Sequence, residues 1–404
     1  MYGKDTVLVL SGNYSTGLGV IRSLGESGHP VELVSAVKRN GSSRIASSSR
    51  YVVAGEEIMA APMQEDGGRR LLDTVCRYVP VSGKKLLLPV DDFTTSVIDG
   101  NREALADHFR MPYVEDGGSI ARLMDKSLQN RLAEEAGFMV PEGWTVRLDG
   151  EIGIPEKIVY PCFVKPLKSV LGEKGEMAVI HSREDLIRHL RQLQSACRDR
   201  EVLVQEYLAI DQELDICGVC LGDCVIIPAV LKKRRIACFE RGVTMVGEMV
   251  PLGSYGDELQ QKAFDLLGSL GYHGLFDMEI NLAGGKIWFG EINFRSGGPG
   301  YAYTLAGANL PGILASEFLS GGHEQSDEKV SMLGETFVYE KVAWEDYIHG
   351  LMTKAELRDV IGSADHRLLD RPDDPVPGKI FSRRIRLSEK KHKLLNLLRI
   401  EKRS

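Results

Sequence analysis

The apolar positions at the start of the chain come in two blocks. Residues 6–10, TVLVL, are almost continuously hydrophobic, as in a strand buried on both faces. Gly12, Gly17 and Gly19 surround a turn, an amphipathic stretch closes near Gly28, and PVELVS restores the apolar run. The pattern predicts strand, turn, helix, strand: the β-α-β opening of a parallel sheet. KKLLLPVDD, 84–92, predicts a further strand that ends in Asp91 and Asp92, at the end of a strand where open α/β sheets place ligands, although a solvated turn reads equally well. A first, Rossmann-like unit is expected over residues 1–120.

The period changes after that. LMDKSLQNRLAEEAGFMVP reads as a helix capped by Asp125, running through Ala136 and stopped by Gly137 and the Val140-Pro141 step. Strands are expected at Tyr160–Val164 and Met177–Ile180, a helix in REDLIRHLRQLQSACR, and a strand in EVLVQEYLAI, so residues 121–205 form a second unit. From 206 to 369 the sequence reads as a larger antiparallel unit: the ELDICGVCLGDCVII hairpin, the VLKKRRIACFE strand, a helix from Asp257 to Leu270, and the hairpin GLFDMEINLAGGKIWFGEIN. DRPDDPVPGK, 370–379, is a proline-rich break, and residues 370–404 are expected to form a separate tail.

Composition narrows the class. At 404 residues, with 43% hydrophobic and 26% charged, the chain exceeds what one core organises, so several domains are expected. Net charge is −7, but residues 379–404 carry ten Lys or Arg against two Glu, leaving −15 on the rest. An acidic body argues against nucleic acid as a partner. Cys217, Cys220 and Cys224 have a metal-like spacing, but a hairpin turned at Gly222-Asp223 would put Cys217 and Cys220 on opposite faces, as buried hydrophobes. Seven cysteines suggest no disulfide framework, and no leader or spanning segment is readable, so a reducing cytoplasm is the expected compartment.

The candidate chemistry lies in the last hairpin. Asp277 and Glu279 share one face of its first strand, and Glu291, Asn293 and Arg295 share one face of its second. A solvated strand face would explain alternating polar residues without any function. The large apolar neighbours instead suggest burial, where several carboxylates repel unless a cation is supplied. Two carboxylates and an amide oxygen are the hard donors that Mg²⁺ takes beside water and phosphate. Arg295 adds a rigid fork for a phosphoryl group or a carboxylate.

Three separated pieces, FVKP, QEY and ME…GEINFR, together resemble the ATP-grasp superfamily across residues 1–320. The resemblance implies an α/β and α+β multidomain fold: an N-terminal Rossmann-like domain, a small α/β lid, and a large antiparallel-sheet domain, with ATP between the last two. It assigns Lys126 and Lys165 to the α- and β-phosphates, with Lys168 in a phosphate-covering loop, 168–177, poorer in glycine and serine than family covers. Glu206, Tyr207 and Leu208 match the adenine hinge, Glu213 the ribose contact, and Lys232 a basic residue near the γ-phosphate, its register blurred by four consecutive cations. Glu279, Glu291 and Asn293 match the ligands of Mg²⁺ (Mn²⁺ as the alternative ion), with Asp277 as a substitute for Glu279. Arg295 would hold the phosphoryl group or the acyl substrate, beside backbone N–H groups of the 296–300 bend.

The implied activity is ATP-dependent joining of a carboxylate to an amine through an acyl phosphate, with small-molecule substrates such as an amino acid or a peptidyl precursor. Two rival expectations stand beside it: a noncatalytic ATP-binding regulator, and a basic-tailed protein that binds an anionic polymer or membrane surface. The tail, 379–404, suits peripheral contact with an anionic membrane, docking on the acidic body, or a homodimer contact.

Overall fold

The computed structural model describes residues 6–401 apart from 13, 38–43, 61–64, 167–176, 197–200, 223, 241 and 322–329. β1 (Val7–Ser11), β2 (Val31–Val37), β3 (Val52–Met59), β4 (Lys85–Pro89) and β5 (Phe109–Arg110) form a parallel sheet in the order β3-β2-β1-β4-β5. β1 and β4 are buried along their whole length, which is why their sequences are apolar runs rather than alternations. The helix Tyr14–Glu26 turns Leu18, Ile21 and Leu24 into the core. Gly19 lets that helix approach Tyr301, since a Cβ there would lie 3.0 Å from the tyrosine Cβ. Asp91 caps the helix Asp92–Gly100 by accepting from Thr94 N, and it also accepts from Gly12 N at 2.8 Å. The glycine turn is thereby tied to the end of β4.

β6 (Tyr113–Val114) leaves this sheet and joins another. The next four strands, β7 (Gly143–Arg147), β8 (Cys162–Pro166), β9 (Ala178–Ile180) and β10 (Glu201–Glu206), form an antiparallel sheet ordered β7-β10-β8-β9. Leu186, Leu190 and Leu193 of the helix Arg183–Ala196 cover one face of it, against Val146, Val164, Val202 and Val204.

The largest sheet comprises β11 (Gln212–Leu221), β12 (Cys224–Ile226), β13 (Val230–Ile236), β14 (Thr244–Val250), β15 (Tyr272–Ala283), β16 (Lys286–Asn293), β17 (Thr336–Val338) and β18 (His366–Arg367). Its order is β16-β15-β11-β13-β14-β17-β18, with β12 on β11 and β6 on β15, antiparallel except between β17 and β18. Leu214, Ile216, Met278 and Ile292 pack on one face against Leu259, Ala263 and Leu266 of the helix Gly256–Gly268. On the other face Cys217, Leu231 and Leu275 meet Tyr303 and Leu314. Cys217 and Cys220 therefore serve different cores, and Cys224 is exposed. The fold is the three-part multidomain architecture that the resemblance implies.

The proline-rich segment differs from expectation. It does not extend to residue 379, because a helix begins at Pro375 and runs to Glu401. Proline is tolerated in the first turn of a helix, where its missing N–H has no partner to lose. Phe381 and Ile385 are buried in the main core, so the first half of the presumed tail is docked. Asp374, just before the helix, accepts from Arg22 Nε at 2.9 Å and Ser49 Oγ at 2.8 Å, and Arg22 also donates to the carbonyls of Leu368 and Leu369. Among the described residues no helix is long and apolar enough to cross a membrane.

Candidate functional site

The β15–β16 ladder sets Asp277 opposite Asn293 and Glu279 opposite Glu291. On the other side of β15, β11 sets Cys217 opposite Asp277 and Asp215 opposite Glu279. Residues directly opposite in an antiparallel ladder share a face, so one patch of sheet carries Asp215, Asp277, Glu279, Glu291 and Asn293. A bulge between Glu279 and Ile280 sets this register. Gly290 fits there because a Cβ would stand 2.7 Å from the Glu279 carbonyl oxygen.

Four cations reach this patch, each from a different element. Lys233 of β13 lies 3.1 Å from Asp215, 3.2 Å from Glu213 and 3.8 Å from Glu279. Lys126, first residue of the helix Lys126–Glu135, lies 3.1 Å from Glu291. Lys165 projects from β8 toward the same carboxylates, and its titration responds to Lys126, Glu291 and Glu279. Arg295 donates from Nε to Asp92 Oδ1 at 2.9 Å and from Nη2 to Asn293 Oδ1 at 3.2 Å. Asp92 opens the helix that follows β4, so the first sheet also contributes to the site.

Burial and neighbours drive the two facing glutamates apart. Burial pushes Glu279 up to about 8 against the pull of Lys233, with Glu291 and Asp215 adding repulsion. Burial acts on Glu291 as well, but Lys126 and Lys165 outweigh it and hold the group down to about 2. Asp277 is pushed up to about 7 by burial and Asp215. Burial and the charge of Lys126 lower Lys165 to about 8. Burial also opposes the charge on Lys233, yet Glu279, Asp215 and Glu213 hold its ammonium above its ordinary range.

Exposure separates the acids further. The Glu279 and Glu291 side chains keep 35% and 28% of their surface, whereas Asp277 and Asp215 are nearly closed off. Asp277 lies against Cys217 Sγ at 3.5 Å and against Gly297, where a Cβ would meet its carboxylate at 2.2 Å. Glu279 and Glu291 are thus the open pair. Among the described residues no three carboxylate, imidazole or thiol groups form a metal cage. Two opposed carboxylates on an open face suit Mg²⁺ nonetheless, because that ion usually takes one or two carboxylates and fills its shell with water and phosphate. Asn293 is buried with its Oδ1 turned to Arg295, which leaves one lone pair for another partner.

The remaining expected residues divide. Glu206 ends β10, with its N–H donating to Glu142 O at 2.8 Å, and Tyr207 and Leu208 lead from there toward β11, Tyr207 being 43% exposed. Glu213 is engaged with Lys233. Lys168 and nearly all of the 168–177 loop lie outside the described residues. Lys232 is corrected by the register: it pairs with Leu214 and Glu248, on the face opposite the carboxylates, and Lys233 is the basic residue that meets them. Sequence reasoning did not give Asp92 and Thr244 their partners. Thr244 Oγ1 donates to Asp215 at 2.6 Å, across two strands that no short motif connects.

Comparison with known proteins finds likenesses over part of the chain. Residues 131–312 match the family model described as the ATP-grasp domain. The carbamoyl phosphate synthase large chain of Pseudomonas syringae pv. tomato is 29% identical over 185 residues, which are 44% of this chain and 17% of that one. The chain thus aligns with only about a sixth of that relative's length. D-Aspartate ligase of Enterococcus faecium is 23% identical over 265 residues, 60% of each chain. Among solved structures, an L-amino acid ligase from Bacillus licheniformis superposes with TM-score 0.60 at 15% identity, over 83% of this chain and 79% of that one. A biotin carboxylase from Campylobacter jejuni also gives 0.60, at 17% identity over 81% and 74%. At such identities these two show a shared fold.

Proposed function

We propose that this chain, whose residues 131–312 match the ATP-grasp domain, joins a carboxylate to an amine at the expense of ATP, with residues 121–205 as the lid and 206–369 as the larger half of the nucleotide site. The open Glu279–Glu291 pair, with Lys126, Lys165 and Arg295 around it, carries this reading. The likeness to a D-aspartate ligase favours the amine-joining branch.

Lys126 and Lys165 would hold the α- and β-phosphates, with the β10 end around Glu206, Tyr207 and Leu208 taking the adenine and Glu213 the ribose. Glu279 and Glu291 would hold Mg²⁺, aided by Asn293. Bound there, Mg²⁺ would supply neutralisation of the charge that spreads over the phosphates during transfer. Arg295, oriented by Asp92, places the substrate carboxylate in line with the γ-phosphorus. The carboxylate oxygen attacks phosphorus and the bond to the β–γ bridging oxygen breaks, giving an acyl phosphate and ADP. The amine nitrogen then attacks the acyl carbon, phosphate leaves, and the amine proton passes to solvent. Exclusion of water by the lid protects the acyl phosphate. A bicarbonate-phosphorylating reading is the second, favoured by the carboxylase likeness.

Mg²⁺-dependent ADP release, measured with pools of amino acids, hydroxy acids, small peptides or bicarbonate, tests this. Release that requires a carboxylate together with an amine, and that falls at least ~10³-fold in Glu291→Ala, is expected. Release with bicarbonate alone would replace the first reading by the second. ATP binding without release in any pool would favour a regulatory role.

A further inference from the structure

The helix Pro375–Glu401 has two unlike faces. Pro377, Phe381 and Ile385 recur at four-residue intervals and are buried, so one row of positions docks the helix on the body. The opposite row is open to water. It carries Val376, Lys379, Arg383, Arg386 and Leu387, all exposed, and its two aliphatic members keep 47% and 61% of their surface. Between Asp374 and Glu389 the sequence holds four cations and no acid. At a helical rise of about 1.5 Å per residue, Val376 and Leu387 stand about 16 Å apart on nearly the same line along the helix. The helical repeat carries that row on through Lys390, Leu394 and Leu398.

Whatever covers this row must offer hydrocarbon to the aliphatic groups and negative charge to the cations, side by side. Water satisfies only the cations. The acidic surface of a second copy would satisfy them too, but it takes Val376 and Leu387 only where it also presents an apolar groove. The surface of an anionic bilayer offers both at once, with phosphates at the level of the cationic heads and acyl chains a little deeper. Among the described residues no helix is long and apolar enough to span a bilayer, so this one would lie in its surface. Charge sets the orientation. Residues 379–404 carry +8 and the remainder −15, so an anionic surface attracts this face and repels the rest of the protein.

We propose that the outward face of the helix Pro375–Glu401 is a docking surface for an anionic lipid bilayer. Val376 and Leu387 enter the headgroup layer, and Lys379, Arg383 and Arg386 pair with lipid phosphates. This contact goes beyond the ligase reading and does not depend on it.

The test is co-sedimentation of the full chain with vesicles of phosphatidylcholine alone, and of phosphatidylcholine with about a third phosphatidylglycerol. Binding to the anionic vesicles is expected to be ~10-fold tighter or more, and to weaken as added salt shortens the reach of the charges. Arg383→Glu combined with Arg386→Glu should weaken it by a further ~10-fold or more. Leu387→Ser should weaken it at low and at high salt alike, because burial of an aliphatic group is not screened. These positions are exposed, so both variants should melt with the unaltered protein. No pelleting, equal pelleting with the two kinds of vesicle, or pelleting unchanged in both variants would overturn the proposal. A dimer in analytical ultracentrifugation that either variant dissociates, without vesicle binding, would overturn it in favour of a second copy on this face.

Discussion

Glu279 and Glu291 face each other on one ladder, yet one holds its proton to about 8 and the other releases it near 2. A cation binding between them must displace the proton on Glu279. Stabilisation of the protein by Mg²⁺-ADP should therefore grow as pH rises from 6 to 8.5, as melting temperatures with and without the ligand would show; a flat difference would exclude Glu279 as a ligand. The ligand-free protein should move the other way. Asp277 and Glu279 keep protons that the unfolded chain has already lost, so their favourable contribution is complete below the ordinary carboxylate range and disappears as pH rises to about 7 and 8. Lys233 and Lys232 give a second contrast. With a side chain only 1% exposed among three acids, Lys233→Met should cost about 3–5 kcal/mol in denaturant unfolding, while Lys232→Met should cost under ~1 kcal/mol. Equal losses would mean the register has been misassigned. The sequence alone separated Glu291, Asn293 and Arg295 from their neighbours, since strand alternation is a local property. It could not separate Lys232 from Lys233, because the pairing of β13 passes through irregularities at Lys233, Arg235 and Ile236 that no residue type announces.

At the scale of elements, the helix Pro375–Glu401 was the hardest to read. Three prolines beside a run of aspartates look like a break, and it is the packing of Phe381 and Ile385 into the core that accompanies the helix from Pro375. Its anchor is the pair Arg22–Asp374, with both side chains 1% exposed. Removing one partner of a buried pair leaves the other charge without compensation. Asp374→Ala should destabilise the protein by about 3–5 kcal/mol, by calorimetry or urea melts, and a loss below ~1 kcal/mol would show that water or a neighbour takes over the role. The glycine turn after β1 was legible as a turn, but not its attachment: Gly12 donates to Asp91, 79 residues later. Motif reading sees the order of elements and misses the bonds that lock one to another.

Over the whole molecule, each sheet supplies part of the site. The first gives Asp92 through the helix after β4, the second gives Lys165, and the third gives the carboxylates. The three-part architecture was readable because apolar runs, alternation and helical periods follow one another along the chain. The convergence was not, because Asp92 and Arg295 stand 203 residues apart and no local rule sets such a distance. The Arg22–Asp374 pair, separated by 352 residues, has a consequence for biosynthesis. A ribosome adds about 5–20 residues per second, so Arg22 is made about 20–70 s before its counter-ion. During that interval the first helix cannot bury its guanidinium without paying for an unpaired charge. The opening unit of the nascent chain must therefore wait, incompletely packed, until Asp374 has been made and can close the pair.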